Sequence, residues 1–319
     1  MSLEATAGLQ VTEPVQARSR VLRRLLRRPV AVVAIVIIVV IYGAGTFAPL
    51  VAPYGFNEAD LHNPYQGPSW SHPLGTDRFG HDLLSRAIWS AQTTVIISVA
   101  VVVTGGLVLG VALGLLAGYA RGFVDFAIMR LAELFGSVPA ILLLLIITST
   151  LLPRVQDLGY NLEDLSGQHW IVSSGAPSYF LVFGALSAFG WVGLARLVRS
   201  QVLSLREAPY ITAARACGAS QKRILFWHLL PNLSNLLIVS FTLSLGAVAG
   251  AEVGLTFLGI GVQAPHPSFG QMIAEAADLS VVRVHPVLIL VPSAFVSALI
   301  LSFNLLGDQL TDVLSPRRR

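Results

Sequence analysis

The 319-residue sequence has little charge, one cysteine and one lysine, and each scarcity excludes a class of protein. Charged residues make up 12% of the chain and hydrophobic types 54%, whereas soluble domains carry roughly 25% charge. A mean hydropathy of +0.72 excludes a soluble or disordered chain. Cys217 alone forms no internal disulfide and no metal site built from several cysteines.

Motifs for nucleotide binding and hydrolysis are also absent. A P-loop requires a Gly-Lys pair, and the single lysine, Lys222, follows Gln221. The sequence lacks a G-x-S-x-G nucleophile elbow and an H-E-x-x-H zinc helix. His62, His72 and His81 lie ten and nine residues apart in a polar stretch, where we favour loop histidines over metal ligands. We therefore expect a membrane protein that is not an enzyme and has no cofactor or metal of its own.

Long apolar stretches predict six membrane helices. A helix needs about 20 apolar residues to cross a bilayer core, and six stretches poor in Asp, Glu, Lys and Arg are long enough. The further stretch Val253–Ala274 is interrupted by Gly, Pro and His after position 258, which indicates a loop or a re-entrant segment. The predicted fold is an all-α integral membrane protein, a six-helix transmembrane bundle with helices at 30–51, 91–119, 128–152, 178–203, 230–257 and 284–306.

The distribution of Arg and Lys predicts that the N- and C-termini are both cytoplasmic. With the N-terminus inside, 17 basic residues lie on the inner side and four on the outer side. The basic N-terminus could begin a secretory signal, but its apolar run exceeds the roughly 7–15 residues of a signal's apolar region. Arg18–Arg28 instead predicts an amphipathic segment, which either lies on anionic lipid or acts only as a topology anchor.

The spans divide the chain into four parts. These are a cytoplasmic N-terminal segment (1–29), a first helix with an outer cap loop (30–90), a five-helix core (91–307) and a cytoplasmic tail (308–319). The core contains a cytoplasmic loop at 204–231, between the fourth and fifth helices.

This cytoplasmic loop contains a short helix with start and stop signals. Pro209 suits the first turn of a helix, and Gly218 suits its C-terminal cap. A face of mostly small side chains is formed, at helical spacing, by Tyr210, Ala213, Ala214 and Cys217. Because such a face lets another protein approach the backbone closely, we favour a docking helix over an ordinary loop. Arg206 lies outside this helix and is expected to contribute little.

The loop resembles the cytoplasmic EAA motif of bacterial ABC importer permeases: E-A-A, three residues, Gly, nine residues, I-x-L-P. Thr212-Ala213-Ala214 stands in place of E-A-A, with Thr replacing the acid, and His228-Leu229-Leu230-Pro231 stands in place of I-x-L-P. The His-x-Leu-Pro-Asn sequence is typical of the dipeptide/oligopeptide/nickel branch. The resemblance implies that coupling to an ATPase is carried by Tyr210, Thr212, Ala213, Ala214, Arg215, Gly218, His228 and Pro231.

Two further segments resemble the same family in the same order. The stretch from His72 to Arg86 is similar to the outer-loop signature of its second, C-type permease subunit. Glu252–Gly261 is similar to the family's Glu-x-x-Leu-Ser-Phe-Leu-Gly-Leu-Gly. The resemblance implies a translocation path or gate at Glu252, Phe257, Gly259 and Gly261. It implies an outer cap formed by His72, Gly75, Thr76, Asp77, Gly80 and Asp82.

The cap has an alternative that the residues leave open, which is a loop that only stabilises the helix ends. Within it, Thr76-Asp77 and Gly80 predict a turn. Asp82 is expected to pair with Arg78 or Arg86.

The resemblance implies the second permease of a peptide-type ABC importer, with the type I permease fold, in a bacterial inner membrane. Its implied partners are a homologous permease, two cytoplasmic ATPase subunits that bind ATP and Mg, an extracytoplasmic substrate-binding protein and the lipid bilayer, and no nucleic acid. Nickel chelates, glutathione and oligosaccharides are alternative substrates to di- or oligopeptides.

Two other classes of protein remain as alternatives. An ion-driven secondary carrier would keep ionisable groups at mid-bilayer, whereas Glu133 and Glu252 lie nearer to predicted helix ends. An intramembrane enzyme would need a histidine at the depth of Ser137, Thr148 or Ser187, and none is predicted there.

Overall fold

The computed structural model describes residues 21–167, 172, 174–263 and 266–314. The structure is 78% helical, and its described residues form no strand. Isolated β-bridges join Ala59 to His81 and Thr76 to Asp82. Six of the described helices are long and apolar enough to cross a membrane, as the sequence predicts. Residues 1–20, which include the first three residues of the predicted amphipathic segment Arg18–Arg28, and the last five residues of the tail lie outside the described residues.

The spanning helices are joined by short helices and loops. The six spanning helices are α1 (Pro29–Thr46), α3 (Leu83–Ala120), α5 (Ala140–Ser166), α6 (Ala176–Leu205), α8 (Gln221–Phe257) and α11 (Val287–Leu314). The short helices are α2 (Ala48–Val51), α4 (Gly122–Gly136), α7 (Pro209–Ala216), α9 (Phe269–Ala276) and α10 (Leu279–Val284). Two spanning helices contain π-helical stretches, at Val102–Gly110 in α3 and at Ile224–Leu229 in α8.

The second span begins earlier than the sequence predicts. α3 starts at Leu83 rather than near 91, because Asp82 caps the helix by accepting a hydrogen bond from Ser85 N at 2.7 Å. This cap places the first turns of α3 against the loop that precedes it.

The third predicted span also differs from the structure. The predicted helix at 128–152 is in fact two helices, α4 and α5, separated by Ser137–Pro139. Pro139 has no backbone N–H with which to continue α4. α5 then passes through Pro153 and ends at Ser166, well beyond the predicted end of the span at 152. A proline is tolerated inside a membrane helix when neighbouring groups satisfy the freed carbonyl.

A row of glycines brings α3 close to α6. A Cβ added at Gly114 would lie 2.7 Å from Ala195 O, and one at Gly118 would lie 2.7 Å from Val202 Cβ. Because apolar lipid gives helices no hydrophobic reason to associate, close van der Waals packing between small residues holds them together. The same row therefore holds the end of α6 that leads into α7.

Buried apolar side chains form separate clusters towards the two ends of the bundle. One cluster joins α1, α3, α8, α9 and α11 and includes Ile41, Leu83, Phe269, Met272 and Leu288. Another joins α3, α6, α7 and α8 and includes Val111, Val198, Val202, Ile211, Ile224 and Leu229. The first cluster lies beside the loop before α3, and the second supports α7.

Candidate functional site

The loop before α3, residues 52–82, folds into a compact unit that we call the cap segment. The Thr76 hydroxyl donates to Asn63 O at 2.8 Å and accepts from Gln66 N at 2.8 Å. Gly75 and Gly80 adopt φ angles of +84° and +81°, which side chains other than glycine rarely adopt. The structure brings the six predicted cap residues together at the start of α3.

Asp77 is the centre of this unit. Its Oδ1 accepts from Phe79 N at 2.8 Å and from His81 N at 2.9 Å. Its Oδ2 lies 2.9 Å from His81 Nδ1 and 2.5 Å from an Arg86 nitrogen. Burial alone would raise the pKa of Asp77, but the His81 hydrogen bond and the Arg86 charge outweigh it and hold this pKa below its ordinary value. Asp77 therefore stays ionised opposite Arg86.

The predicted pairing of Asp82 with Arg78 or Arg86 is wrong. Asp82 caps α3 and holds His72, whose Nδ1 lies 3.1 Å from Asp82 Oδ1. The hydrogen bonds that Asp82 makes at the helix end occupy both of its carboxylate oxygens. Arg86 pairs with Asp77 and, at 2.8 Å, with Glu275 of α9.

Sequence reasoning missed Glu275, which lies 189 residues beyond Arg86. No spacing rule connects α9 to α3, so no local pattern could have indicated the pair. The Asp77–Arg86–Glu275 network joins the cap segment, α3 and α9 at one end of the bundle.

α7, the docking helix, has the start and the stop that the sequence predicts. Pro209 lies in its first turn. At its end, Gly218 N donates to Arg215 O at 2.9 Å and Ala219 N donates to Ala214 O at 3.0 Å. With a φ of +80° at Gly218, these two bonds form a Schellman cap, which satisfies carbonyls that would otherwise lack partners.

The docking helix is attached mainly through one buried side chain, with weaker contacts from Tyr210 to Asn232 and from Arg215 to the Tyr119 ring. Ile211 is fully buried against α6 and α8, while Tyr210, Ala213 and Cys217 are exposed and Ala214 is half-buried. Of the other predicted coupling residues, the structure leaves Thr212, Arg215, Gly218 and Pro231 exposed and His228 half-buried. The small-sided face is therefore largely uncovered by the described chain.

The expectation that Arg206 contributes little does not fit its position. Its side chain is buried, and Nη1 donates to Gly118 O at 3.1 Å and to Tyr119 O at 3.0 Å. Those carbonyls belong to the last turn of α3, where a cation also complements the helix dipole. Arg206 therefore ties the loop that carries the docking helix to α3.

The four residues of the predicted path or gate do not share one surface. Glu252 is fully buried and accepts from Thr94 Oγ1 at 3.2 Å and from Thr256 Oγ1 at 3.1 Å. Gly261 is buried, whereas Phe257 and Gly259 are exposed. In this structure the Glu252 carboxylate links the end of α8 to α3 through the Thr94 hydroxyl. A role of these four residues in transport stays a prediction.

The structure offers no group of three His, Cys, Asp or Glu side chains that could hold a metal ion within the described residues. His72 and His81 contact the carboxylates of Asp82 and Asp77, and His62 lies beside Asp60. These histidines stabilise the cap segment.

The arrangement is that of a multi-pass membrane protein, closed by its own bonds at one end and exposing the small-sided face of α7 at the other. Residues 110–319 match the family described as binding-protein-dependent transport system inner membrane component. Residues 18–68 match the N-terminal transmembrane domain of oligopeptide transport permease C. The chain belongs to this family of binding-protein-dependent membrane permeases.

Its curated relatives are similar along nearly the whole chain. A dipeptide transport system permease protein of Alkalihalophilus pseudofirmus is 33% identical over 93% of this chain and 89% of its own length. An oligopeptide transport system permease protein of Mycobacterium bovis is 32% identical over 97% of this chain and 98% of its own. A glutathione transport system permease protein of Pectobacterium atrosepticum is 33% identical over 92% and 89%. These relatives are permease subunits and not enzymes.

Proposed function

We propose that the chain is one of two permease subunits of an ATP-driven importer that carries di- or oligopeptides across a bacterial inner membrane. The observation that carries this proposal is the exposed small-sided face of the docking helix in a chain of this permease family. The names of relatives in dipeptide and oligopeptide transport support the substrate class. A homologous permease, two ATPase subunits with ATP and Mg, and an extracytoplasmic binding protein complete the proposed assembly.

The proposed orientation places both termini and the docking helix in the cytoplasm and the cap segment outside. The bias of 17 basic residues to four supports it. The cap segment then meets the binding protein, and the docking helix meets an ATPase. The chain itself performs no catalysis.

Coupling follows from how the docking helix is anchored. Ile211 packs into the same apolar cluster as Val198 and Val202 of α6 and Ile224 of α8. When the ATPases close, a displaced docking helix therefore pulls on two spanning helices at once. At its far end, α8 is tied to α3 by the Glu252 hydrogen bond to Thr94. We infer that this joint movement of α6 and α8 switches the translocation path between inward-facing and outward-facing access.

Substitutions on the docking helix test the proposal. Gly218→Val places a β-branched residue at positive φ, which costs about 1 kcal/mol or more. Ala214→Glu puts a charge into the proposed interface, where an unpaired charge costs several kcal/mol, on the order of 3–5. In reconstituted complexes, both variants should retain the inserted bundle, lose ATPase subunits on co-purification, and lose stimulated ATP hydrolysis together with peptide uptake.

The matched control is Ala216→Glu, the same change on the opposite side of the docking helix from Ala214. Ala216 is exposed, so we expect assembly and stimulated hydrolysis close to wild type. Normal assembly, hydrolysis and uptake in both Gly218→Val and Ala214→Glu would show that this helix does not couple the ATPases.

Glutathione is the second candidate substrate, because a glutathione permease matches this chain as closely in identity as the dipeptide permease does. Uptake of glutathione and of a dipeptide by one reconstituted complex separates the two.

A further inference from the structure

A break separates the short helix α4 from the third spanning helix, α5. α4 ends at Gly136 and α5 begins at Ala140, and residues 136–140 are exposed. Beside this break, an open cleft is lined by Phe135, Phe189 and Val192. Residues 137–139 connect the two helices and are exposed on the described chain, although Ser137 N donates to Leu134 O and Pro139 O accepts from Leu142 N.

The depth of the break follows from helix geometry. Gly136 lies 14 residues beyond the start of α4, which is about 21 Å at 1.5 Å per residue. Across the cleft, Phe189 and Val192 are the 14th and 17th residues of the 30-residue α6. The break therefore lies beside the middle of a neighbouring spanning helix, a level that a hydrocarbon core of about 30 Å centred on that helix would include.

An arginine reaches towards this break from α6. The Arg196 guanidinium donates from Nη2 to Ala132 O at 2.8 Å, and a Cβ added at Gly136 would lie 3.1 Å from the same nitrogen. Side chains on a helix lean towards its N-terminus, and for α6 that direction leads away from the nearer end at Leu205. Arg196 therefore extends towards the middle of the membrane and does not bend back to the closer surface.

The charge of Arg196 is not balanced within the described residues. Its two neighbouring cations on this face are paired, Arg199 with Asp125 and Arg130 with Glu133. The acceptor for Arg196 is a backbone carbonyl, which uses one of the five N–H donors of a guanidinium. Arg196 is also exposed on the surface of this chain.

Exposed backbone and an unbalanced cation at this depth do not face lipid. Irregular backbone inside a membrane lines a water-filled cavity or is covered by protein, and intramembrane charges mark substrate pathways. We propose that Arg196 and the break at Ser137–Pro139 line the aqueous translocation path, and that the Arg196 guanidinium receives the carboxylate of the passing substrate. The carboxylate part of this proposal rests on the proposed function, because peptides carry a C-terminal carboxylate.

The chemistry of the cleft fits such a substrate. A guanidinium binds a carboxylate through two parallel hydrogen bonds, with more directional specificity than an ammonium group. The apolar side chains of Phe189 and Val192, on the same helix as Arg196, and of Phe135 on α4 line the cleft and accommodate a neutral side chain of the substrate. Binding at such a site must remain weak enough for release.

Transport of a matched pair of probes tests the carboxylate step. Reconstituted complexes are given trialanine or trialanine amide, each at a concentration that saturates the binding protein. Arg196→Gln should lower trialanine uptake about tenfold, as expected for the loss of a charge-assisted hydrogen bond, and leave amide uptake unchanged. Arg196→Lys should fall between Arg196→Gln and wild type, and the exposed Arg27→Gln should match wild type for both probes. An equal loss of both probes, or no loss of either, would overturn the carboxylate role.

Thiol labelling tests the aqueous path separately. In a Cys217→Ala complex, Arg196→Cys should react with a charged, membrane-impermeant thiol reagent, whereas Val36→Cys in the middle of α1 should not. An unreactive Arg196→Cys, as expected if an acidic side chain of the partner permease covers this position, would overturn the path assignment. If the wild-type complex transports neither peptide, the proposed function fails, while the labelling result still decides whether Arg196 lines the path.

Discussion

The cap segment and the docking helix both join spanning helices, but they are held in opposite ways. In the cap segment, Asp77, Asp82 and Thr76 are buried, and their polar atoms bond to partners in the same chain. The docking helix satisfies its C-terminal end with a Schellman cap and is attached mainly through buried Ile211. A region whose partners are internal keeps its shape alone. A region that exposes an ordered small-sided face has the form that the proposed docking to an ATPase requires.

The largest effect is expected where the cap segment joins the bundle. Arg86→Ala leaves Asp77 and Glu275 without their common cation, and breaking a buried ion pair from one side costs roughly 3–5 kcal/mol. Amide hydrogen exchange across residues 60–82 should become much faster, while exchange in the docking helix stays unchanged.

Arg78→Ala is the matched control for this change. Arg78 is exposed and lies over the Phe79 ring at 4.4 Å, a contact worth about 0.5–1 kcal/mol at an exposed site. If Arg86→Ala and Arg78→Ala leave the cap equally protected, the ion-pair network does not hold the cap.

A somewhat smaller effect is expected from removing the anchor of the docking helix. Ile211→Ala deletes a fully buried side chain from the cluster of α6 and α8, which costs about 2–5 kcal/mol. Exchange should accelerate over residues 209–218 and stay unchanged in the cap segment. Ile211→Val, a loss of about 0.5–1.5 kcal/mol, should keep most of the protection. Equal acceleration at both ends of the bundle would contradict two independently held regions.

The two regions also differ in how far the sequence predicts them. Pro209 and Gly218 act through neighbours within five residues, so the docking helix, its start and its C-terminal cap could be predicted. The number of spanning helices could be predicted as well, because apolar length decides it. These features depend on local chemistry or on composition, which the sequence displays directly.

Contacts between distant segments could not be predicted. The pairing of Arg86 with Glu275 requires α9 to return to the start of α3, and the burial of Arg206 requires α3 to end beside the loop. The break at Ser137–Pro139 was missed for a different reason, because Pro139 lies in an otherwise continuous apolar stretch. Apolar length predicts a span, but it does not show where the helix within that span is interrupted.

The smallest effect is expected from a change on the exposed surface of the docking helix. Thr212→Glu introduces the acid that the EAA motif carries, at a side chain that this structure leaves exposed. Because surface substitutions of this kind change stability by about 0.5 kcal/mol or less, hydrogen exchange of both regions should match wild type. Any change should appear only when the ATPase subunits are present, as a shift in their co-purification with the permease.

Thr76→Glu is the same change inside the cap segment. It replaces a buried hydroxyl that bonds Asn63 O and Gln66 N, and hydrogen exchange in the cap segment should accelerate without any partner. Accelerated exchange in isolated Thr212→Glu would show that Thr212 stabilises the chain itself, and the contrast between an internally bonded end and a partner-facing end would then not hold at this position.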